Sequence, residues 1–137
     1  MSDRPVAILI CGGRNLTHAD VWNALERDCL DAVAERLNLP HKFTFRVIHG
    51  GALGADTASG EWAKSEGVKV TSYPANWKKH GKAAGPIRNR QMIEEGKPDI
   101  VVALPGGRGT ANMIAQAEER GIPVVKINIK RMEATDE

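Results

Sequence analysis

Pro105-Gly106-Gly107-Arg108-Gly109-Thr110 is the run of this chain best suited to chemistry. It follows the apolar stretch Ile100-Val101-Val102-Ala103-Leu104 and precedes residues 111–120, whose spacing reads as a helix. A strand, a glycine turn and a helix start form an anion site. Glycine lets backbone N–H groups come close to a ligand, and the helix N-terminus adds partial positive charge. The run lacks the Lys-Ser/Thr pair of the Walker loop, and it is not the G-x-G-x-x-G dinucleotide pattern. It is a third kind of phosphate or carboxylate loop.

Two more glycine turns follow apolar segments: Cys11-Gly12-Gly13-Arg14-Asn15, and Gly50-Gly51-Ala52-Leu53-Gly54-Ala55-Asp56. Glycine in one such turn is explained by steric need alone, but three turns at strand ends can line one crevice if strand order brings them together. Each polar residue here has two readings. Asp56 either complements the dipole of its helix or accepts hydrogen bonds from ribose hydroxyls. Thr110 is a helix cap, a phosphate ligand, or both. Arg14 reaches a phosphate or stays a surface arginine. Arg88 and Arg90 are two residues apart and face differently; Arg90 suits a surface ion pair with Glu94, and Arg88 is the better ligand candidate. His49 either meets a base or is a satisfied structural histidine. No His/Cys/Asp/Glu spacing suggests a metal, no G-x-S-x-G elbow is present, and no cofactor is expected.

The elements that must position these residues follow from periodicity. Strands are expected over residues 6–10, 43–49, 68–73, 99–104 and 123–127. Helices are expected over residues 20–37, capped by Thr17 or Asp20, over 53–66 ended by Gly67, from Pro86 to Gly96, and along the stripe Thr110, Met113, Ile114 and Ala117. Residues 74–84 read as a loop. The alternation of strand and helix predicts an α/β domain with a mainly parallel five-stranded sheet covered on both faces. One domain is expected over residues 1–131, with a short acidic tail over 132–137.

Composition narrows the function. Lys69, Lys78, Lys79, Lys82, Arg88 and Arg90 lie in residues 67–93, which hold no acidic residue, although the whole chain is only +2. A local basic segment on a mildly acidic body suits an anionic ligand better than general DNA coating. For Lys78, Lys79 and Lys82 a solvated loop is the simpler reading. Aromatic residues number six, little material for stacking along a nucleic-acid groove. Two cysteines without metal or disulfide spacing fit a reduced, cytoplasmic setting. The residues before the first strand do not read as a signal peptide, and no apolar run approaches membrane-spanning length.

Four ordered motifs carry a family resemblance: Gly12-Gly13-Arg14, the segment from His49 to Asp56, Ala84-Gly85-Pro86-Ile87-Arg88-Asn89, and Leu104 to Thr110. The chain resembles the SLOG superfamily, which includes the "Lonely Guy" enzymes and the DNA-processing protein DprA, and is most similar to its YspA/YpsA-like branch. The resemblance implies a three-layer Rossmann-like fold and a nucleotide or nucleotide-derived ligand, with phosphate near Gly106, Gly107, Gly109 and Thr110. It further implies contacts from Gly12, Gly13, Arg14, Gly50, Gly51, Arg88 and Asn89, and a ribose held by Asp56. Self-association is common among such relatives; Trp22 or Trp62 could serve an interface between copies, although core packing is the simpler use.

One departure matters. Phosphoribohydrolases of the superfamily carry P-G-G-x-G-T-x-x-E, and here Met113 stands at the glutamate's place. Cleavage of a base–ribose bond needs a carboxylate to stabilise the oxocarbenium-like sugar or activate water, so Asp56 is the one motif-loop carboxylate that could act. Three functions therefore stand side by side: a nucleotide-binding domain that senses, sequesters or presents its ligand; a nucleotide hydrolase or N-glycosidase using Asp56; and a single-stranded DNA-binding domain, which the few aromatics and modest charge disfavour.

Overall fold

Five consecutive apolar residues, Val6 to Ile10, demand cover on both faces. The computed structural model, which describes residues 4–40 and 42–129, places Val6–Cys11 (β1) at the centre of a five-stranded sheet. The chain continues through His18–Ala24 (α1), a π-helical turn over Leu25–Cys29, Leu30–Leu37 (α2), Phe45–His49 (β2) and Ala55–Ser65 (α3). Then come Val70–Ser72 (β3), Trp77–His80 (α4), a 3-10 turn over Gly81–Ala83 and Ala84–Gly96 (α5). Ile100–Ala103 (β4), Arg108–Glu119 (α6) and Val124–Lys126 (β5) complete it.

Every neighbouring pair is parallel, in the order β3-β2-β1-β4-β5. The sheet is thus wholly rather than mainly parallel. Successive residues of β1 serve two cores. Ile8 and Ile10 pack with Val21, Leu25, Val33 and Trp62 on one face, and Leu9 and Cys11 with Met92, Ile93, Met113 and Ala117 on the other. Helices α1 to α3 therefore cover one face and α5 and α6 the other. Each fully buried Ile or Leu contributes about 1.5–3 kcal/mol.

Strand order decides the site. The chain builds β2 and β3 to one side of β1, then crosses back to place β4 and β5 on the other. Such a reversal opens a crevice beyond the strand C-termini. It also makes β2, β1 and β4 adjacent, so the three glycine turns meet.

Several boundaries differ from expectation. The first helix begins at His18, because Thr17 Oγ1 accepts the Asp20 N–H at 3.1 Å; Thr17 is the cap. The π turn interrupts its regular stripe, letting Ala24, Leu25 and Cys29 all reach the core. Residues 74–84 are not an open loop: Asn76 Oδ1 accepts the Lys79 N–H at 3.0 Å and starts α4. Helix α5 then begins at Ala84, two residues before Pro86. Pro86 still sits in the first turn, where an N–H has no intrahelical partner, so its ring removes no bond. The tail expected over 132–137 lies outside the described residues. No helix among the described residues is long and apolar enough to cross a membrane.

Candidate functional site

The three turns are fastened to one another. The Gly13 N–H donates to the Pro105 carbonyl at 2.8 Å, and the Gly13 carbonyl accepts the Ala55 N–H at 3.1 Å. A side chain on Gly12 would lie 2.8 Å from the Cβ atoms of both Ala55 and Leu104. Gly12 and Gly13 therefore bring the loops together; the Gly13 N–H, expected to face a ligand, is already used.

The turn between β2 and α3 is closed on itself. Asp56, at the start of α3 and 7% exposed, accepts the Ala52 N–H at 3.2 Å. The Gly51 N–H donates to His49 Nδ1 at 3.0 Å. The Gly51 N–H, expected as a free donor, is thus used within the turn. Burial lowers the pKa of His49, and its Nδ1 is an acceptor, so it serves as a neutral structural histidine. Burial pushes the Asp56 carboxyl up to about 6, against the opposing pull of the Ala52 N–H and the Arg88 charge. Cys11, at the end of β1, has a thiol pushed up to about 12 by burial, with the Asp56 charge adding to it; it stays protonated.

Arg88 locks this turn from outside. Its Nη1 donates to the Gly50 carbonyl at 2.6 Å, and its Nε donates to Asn89 Oδ1 at 3.0 Å. Burial lowers its pKa, with Asp56 opposing that. Asn89 Nδ2 in turn donates to the Gly109 carbonyl at 3.2 Å and to Asn112 Oδ1 at 3.0 Å. Both residues, expected on the ligand, hold the turns from α5. Arg90 faces away and lies 4.0 Å from Glu94, which Arg120 also approaches at 3.7 Å.

The turn between β4 and α6 is different. Gly107 stands at the N-cap of α6 without a side-chain bond, and Ala111 is the first residue whose N–H returns to it, at 3.0 Å. The N–H groups ahead of Ala111 point out of the helix end. Around Gly107 and Gly109 a side chain would meet nothing within 4 Å. Gly106 is tight, because a Cβ there would run into the Thr110 hydroxyl. Thr110 is the third residue of α6 and not its cap.

These turns wall a cavity of about 1090 Å³. Arg14, Asp56, Arg88, Asn89, Thr110 and all the glycines expected at the site line it, so strand order collects every candidate in one place. Met113 does not line it. It is 1% exposed, packed under α6 against the sheet, so position 113 belongs to the core here. Among the described residues, no group of three or more His, Cys, Asp or Glu could hold a metal.

Sequence reasoning missed Leu53, Trp77, Lys82 and Asn112 on the cavity wall. Leu53, assigned to the helix, sits on the turn, since α3 starts only at Ala55. An apolar residue between Gly51-Ala52 and Gly54 has no helix or strand face to bury it, and that was a usable signal. Trp77, in a basic segment between Gly67 and Gly81, was another. Trp22 and Trp62 pack within the chain: Trp22 stacks on His18, and Trp62 is 1% exposed, with Nε1 donating to Glu26 at 2.7 Å.

The sequence pattern of the YspA, cpYpsA-related SLOG family matches residues 6–80. The chain is 39% identical over 131 residues to the Gene 61 protein of Mycobacterium phage D29, covering 90% of this chain and 97% of that protein. The molybdenum cofactor binding protein from the phototrophic bacterium Rippkaea orientalis superposes with a TM-score of 0.60, over 94% of this chain and 80% of that one, at 20% identity. At that identity the likeness shows the shared fold.

Proposed function

This chain belongs to the YspA, cpYpsA-related SLOG family, and we propose that its crevice binds a nucleotide or nucleotide-derived molecule, with a phosphate against the start of α6. The observation that carries this reading is the open end of α6. Its N-terminal N–H groups have no side-chain cap, Gly107 and Gly109 leave room above them, and the space they face is about 1090 Å³. Outward N–H groups with the helix dipole behind them favour an anion. Exposed Arg14 and Arg108 on the same wall add charge, and the Thr110 hydroxyl adds a donor. Asp56 has acceptor capacity left for a ribose hydroxyl. A structural relative that binds a molybdenum cofactor is compatible with a small-molecule ligand in such a fold.

A thermal-shift panel of mononucleotides, ADP-ribose, cyclic nucleotides, NAD and a short single-stranded DNA tests it. A ligand at a hundredfold its dissociation constant stabilises by about 2.7 kcal/mol, a rise of roughly 3–6 °C for a domain of this size. A rise with one nucleotide class and none with DNA supports the reading. No rise with any nucleotide sinks it, and a rise with DNA alone that fades with salt supports the single-stranded DNA alternative.

Asp56 favours a second reading, nucleotide hydrolysis. A cavity-wall carboxyl raised to about 6 can take a proton near neutral pH. That reading requires free base or sugar phosphate to accumulate, and Asp56→Asn to abolish the product while the variant still binds.

A further inference from the structure

We propose that Leu53 and Trp77 form an apolar slot at the crevice that takes the planar ring of a nucleobase; the inference rests on the nucleotide reading above. Among the described residues, Leu53 at 71% and Trp77 at 56% are the most exposed large apolar side chains. Both line the same cavity. Large apolar groups held in water on the rim of a cavity mark a surface made for a partner.

The three tryptophans sharpen the point. Trp22 stacks on His18 and Trp62 on Phe45. Among the described residues, no ring stacks on Trp77. Its edge rests over the start of α5, where a side chain on Gly85 would lie 3.6 Å from Cη2. The Asn76 cap holds the short helix that carries it. Leu53 is presented just as firmly, between the Ala52 N–H bonded to Asp56 and Gly54, whose φ of +79° turns the chain back. The backbone that carries both side chains is thus fixed before any ligand arrives, which lowers the ordering cost of binding.

The rest of the wall gives the slot its occupant. A phosphate alone fills little of about 1090 Å³. The same cavity holds an anion-seeking end at α6, a carboxylate at Asp56 and an apolar rim at Leu53 and Trp77. Anion, hydroxyl acceptor and flat apolar surface correspond to the phosphate, sugar and base of a nucleotide. Every base has a π-face, so stacking sets the class of ligand and leaves the choice of base to polar neighbours.

Titration calorimetry with AMP, GMP, CMP, UMP and ribose 5-phosphate tests this on the wild type, Trp77→Ala, Trp77→Phe and Leu53→Ala. The expected result is that at least one nucleotide binds roughly tenfold tighter than ribose 5-phosphate, the order of one base–aromatic stack. Trp77→Ala removes that margin without altering ribose 5-phosphate affinity, Trp77→Phe keeps most of it, and Leu53→Ala loses a smaller part. Nucleotide binding also quenches tryptophan emission in the wild type and not in Trp77→Phe. Equal affinity for nucleotides and ribose 5-phosphate, unmoved by Trp77→Ala, overturns the slot and leaves the phosphate reading standing. No binding of any of the five probes, with no thermal shift from ADP-ribose, cyclic nucleotides or NAD, overturns the nucleotide reading and the slot with it.

Discussion

The turn between β2 and α3 and the turn between β4 and α6 look alike on paper and are opposites in space. Both place a glycine run between a buried strand and a helix. In the first, the donors of Gly51 and Ala52 are committed to His49 and Asp56, and Arg88 bolts the Gly50 carbonyl from outside. In the second, the helix starts without a side-chain cap and its open glycines face the cavity. Glycine serves close packing in one and access in the other. The two are joined, since Arg88 holds Asn89 and Asn89 holds Gly109. A rigid turn therefore supports the geometry of an open one.

The largest effect expected from this contrast is a pH dependence of stability. Asp56 has a carboxyl raised from 3.8 to about 6 in the folded chain, so the folded state binds a proton that the unfolded chain has released. The stability that proton contributes is full below the unfolded value and is lost as pH rises through about 6, by up to about 3 kcal/mol. His49, whose lowered pKa costs stability as pH falls, opposes this trend in any variant that keeps it, so the Asp56 share is the difference between wild type and Asp56→Asn in chemical denaturation at pH 4.5 and 7.5. The wild type should lose more stability, or gain less, than Asp56→Asn on going to pH 7.5, and identical profiles would place the titration elsewhere.

Arg88→Ala should come next. It removes the charged donor of the Gly50 carbonyl and leaves Asp56 without its nearby cation, a loss of roughly 2–3 kcal/mol in stability. Affinity for a phosphate ligand should fall as well, through the lost support of Asn89 and Gly109. A stability unchanged in Arg88→Ala, with affinity lost, would return Arg88 to the ligand and break the contrast.

Single alanine substitutions then separate the two turns directly. Gly50→Ala drives a Cβ into the Arg88 guanidinium, and within 3.0 Å of Asp56 Oδ2, and should cost about 2 kcal/mol on denaturation. Gly109→Ala lies in a helix with nothing within 4 Å, so it should stabilise the fold by less than about 1 kcal/mol. It should also lower the affinity for a phosphate ligand by about 1 kcal/mol, because the new methyl fills ligand space. If both variants melt alike, the distinction between a packed and an open glycine turn fails.

Much of the fold was legible. Strands and helices were expected in the right order because burial on both faces and helical spacing are local properties of a segment. Thr17 was named as a cap candidate for the same reason. Residues 74–84 depart from the expected loop because the Asn76 cap starts α4, and Pro86 is the third rather than the first residue of α5. The members of the site were legible as residue types; their duties were not. The Gly51 N–H finds His49 two residues away, a partner the local sequence displays, whereas the Gly50 carbonyl is held by Arg88 from 38 residues on, which no local pattern shows.

By itself the sequence determined the α/β class and the place of each glycine turn at a strand end, because each depends on residues adjacent in the chain. Tertiary structure alone decided that β2, β1 and β4 are neighbours, that Arg88 and Asn89 face the turns across dozens of residues, and that Leu53 and Trp77 share one cavity. Strand order is a choice among packings of similar local merit, settled by contacts between segments far apart in the chain, and so the division of labour between the two turns exists only once the sheet is assembled.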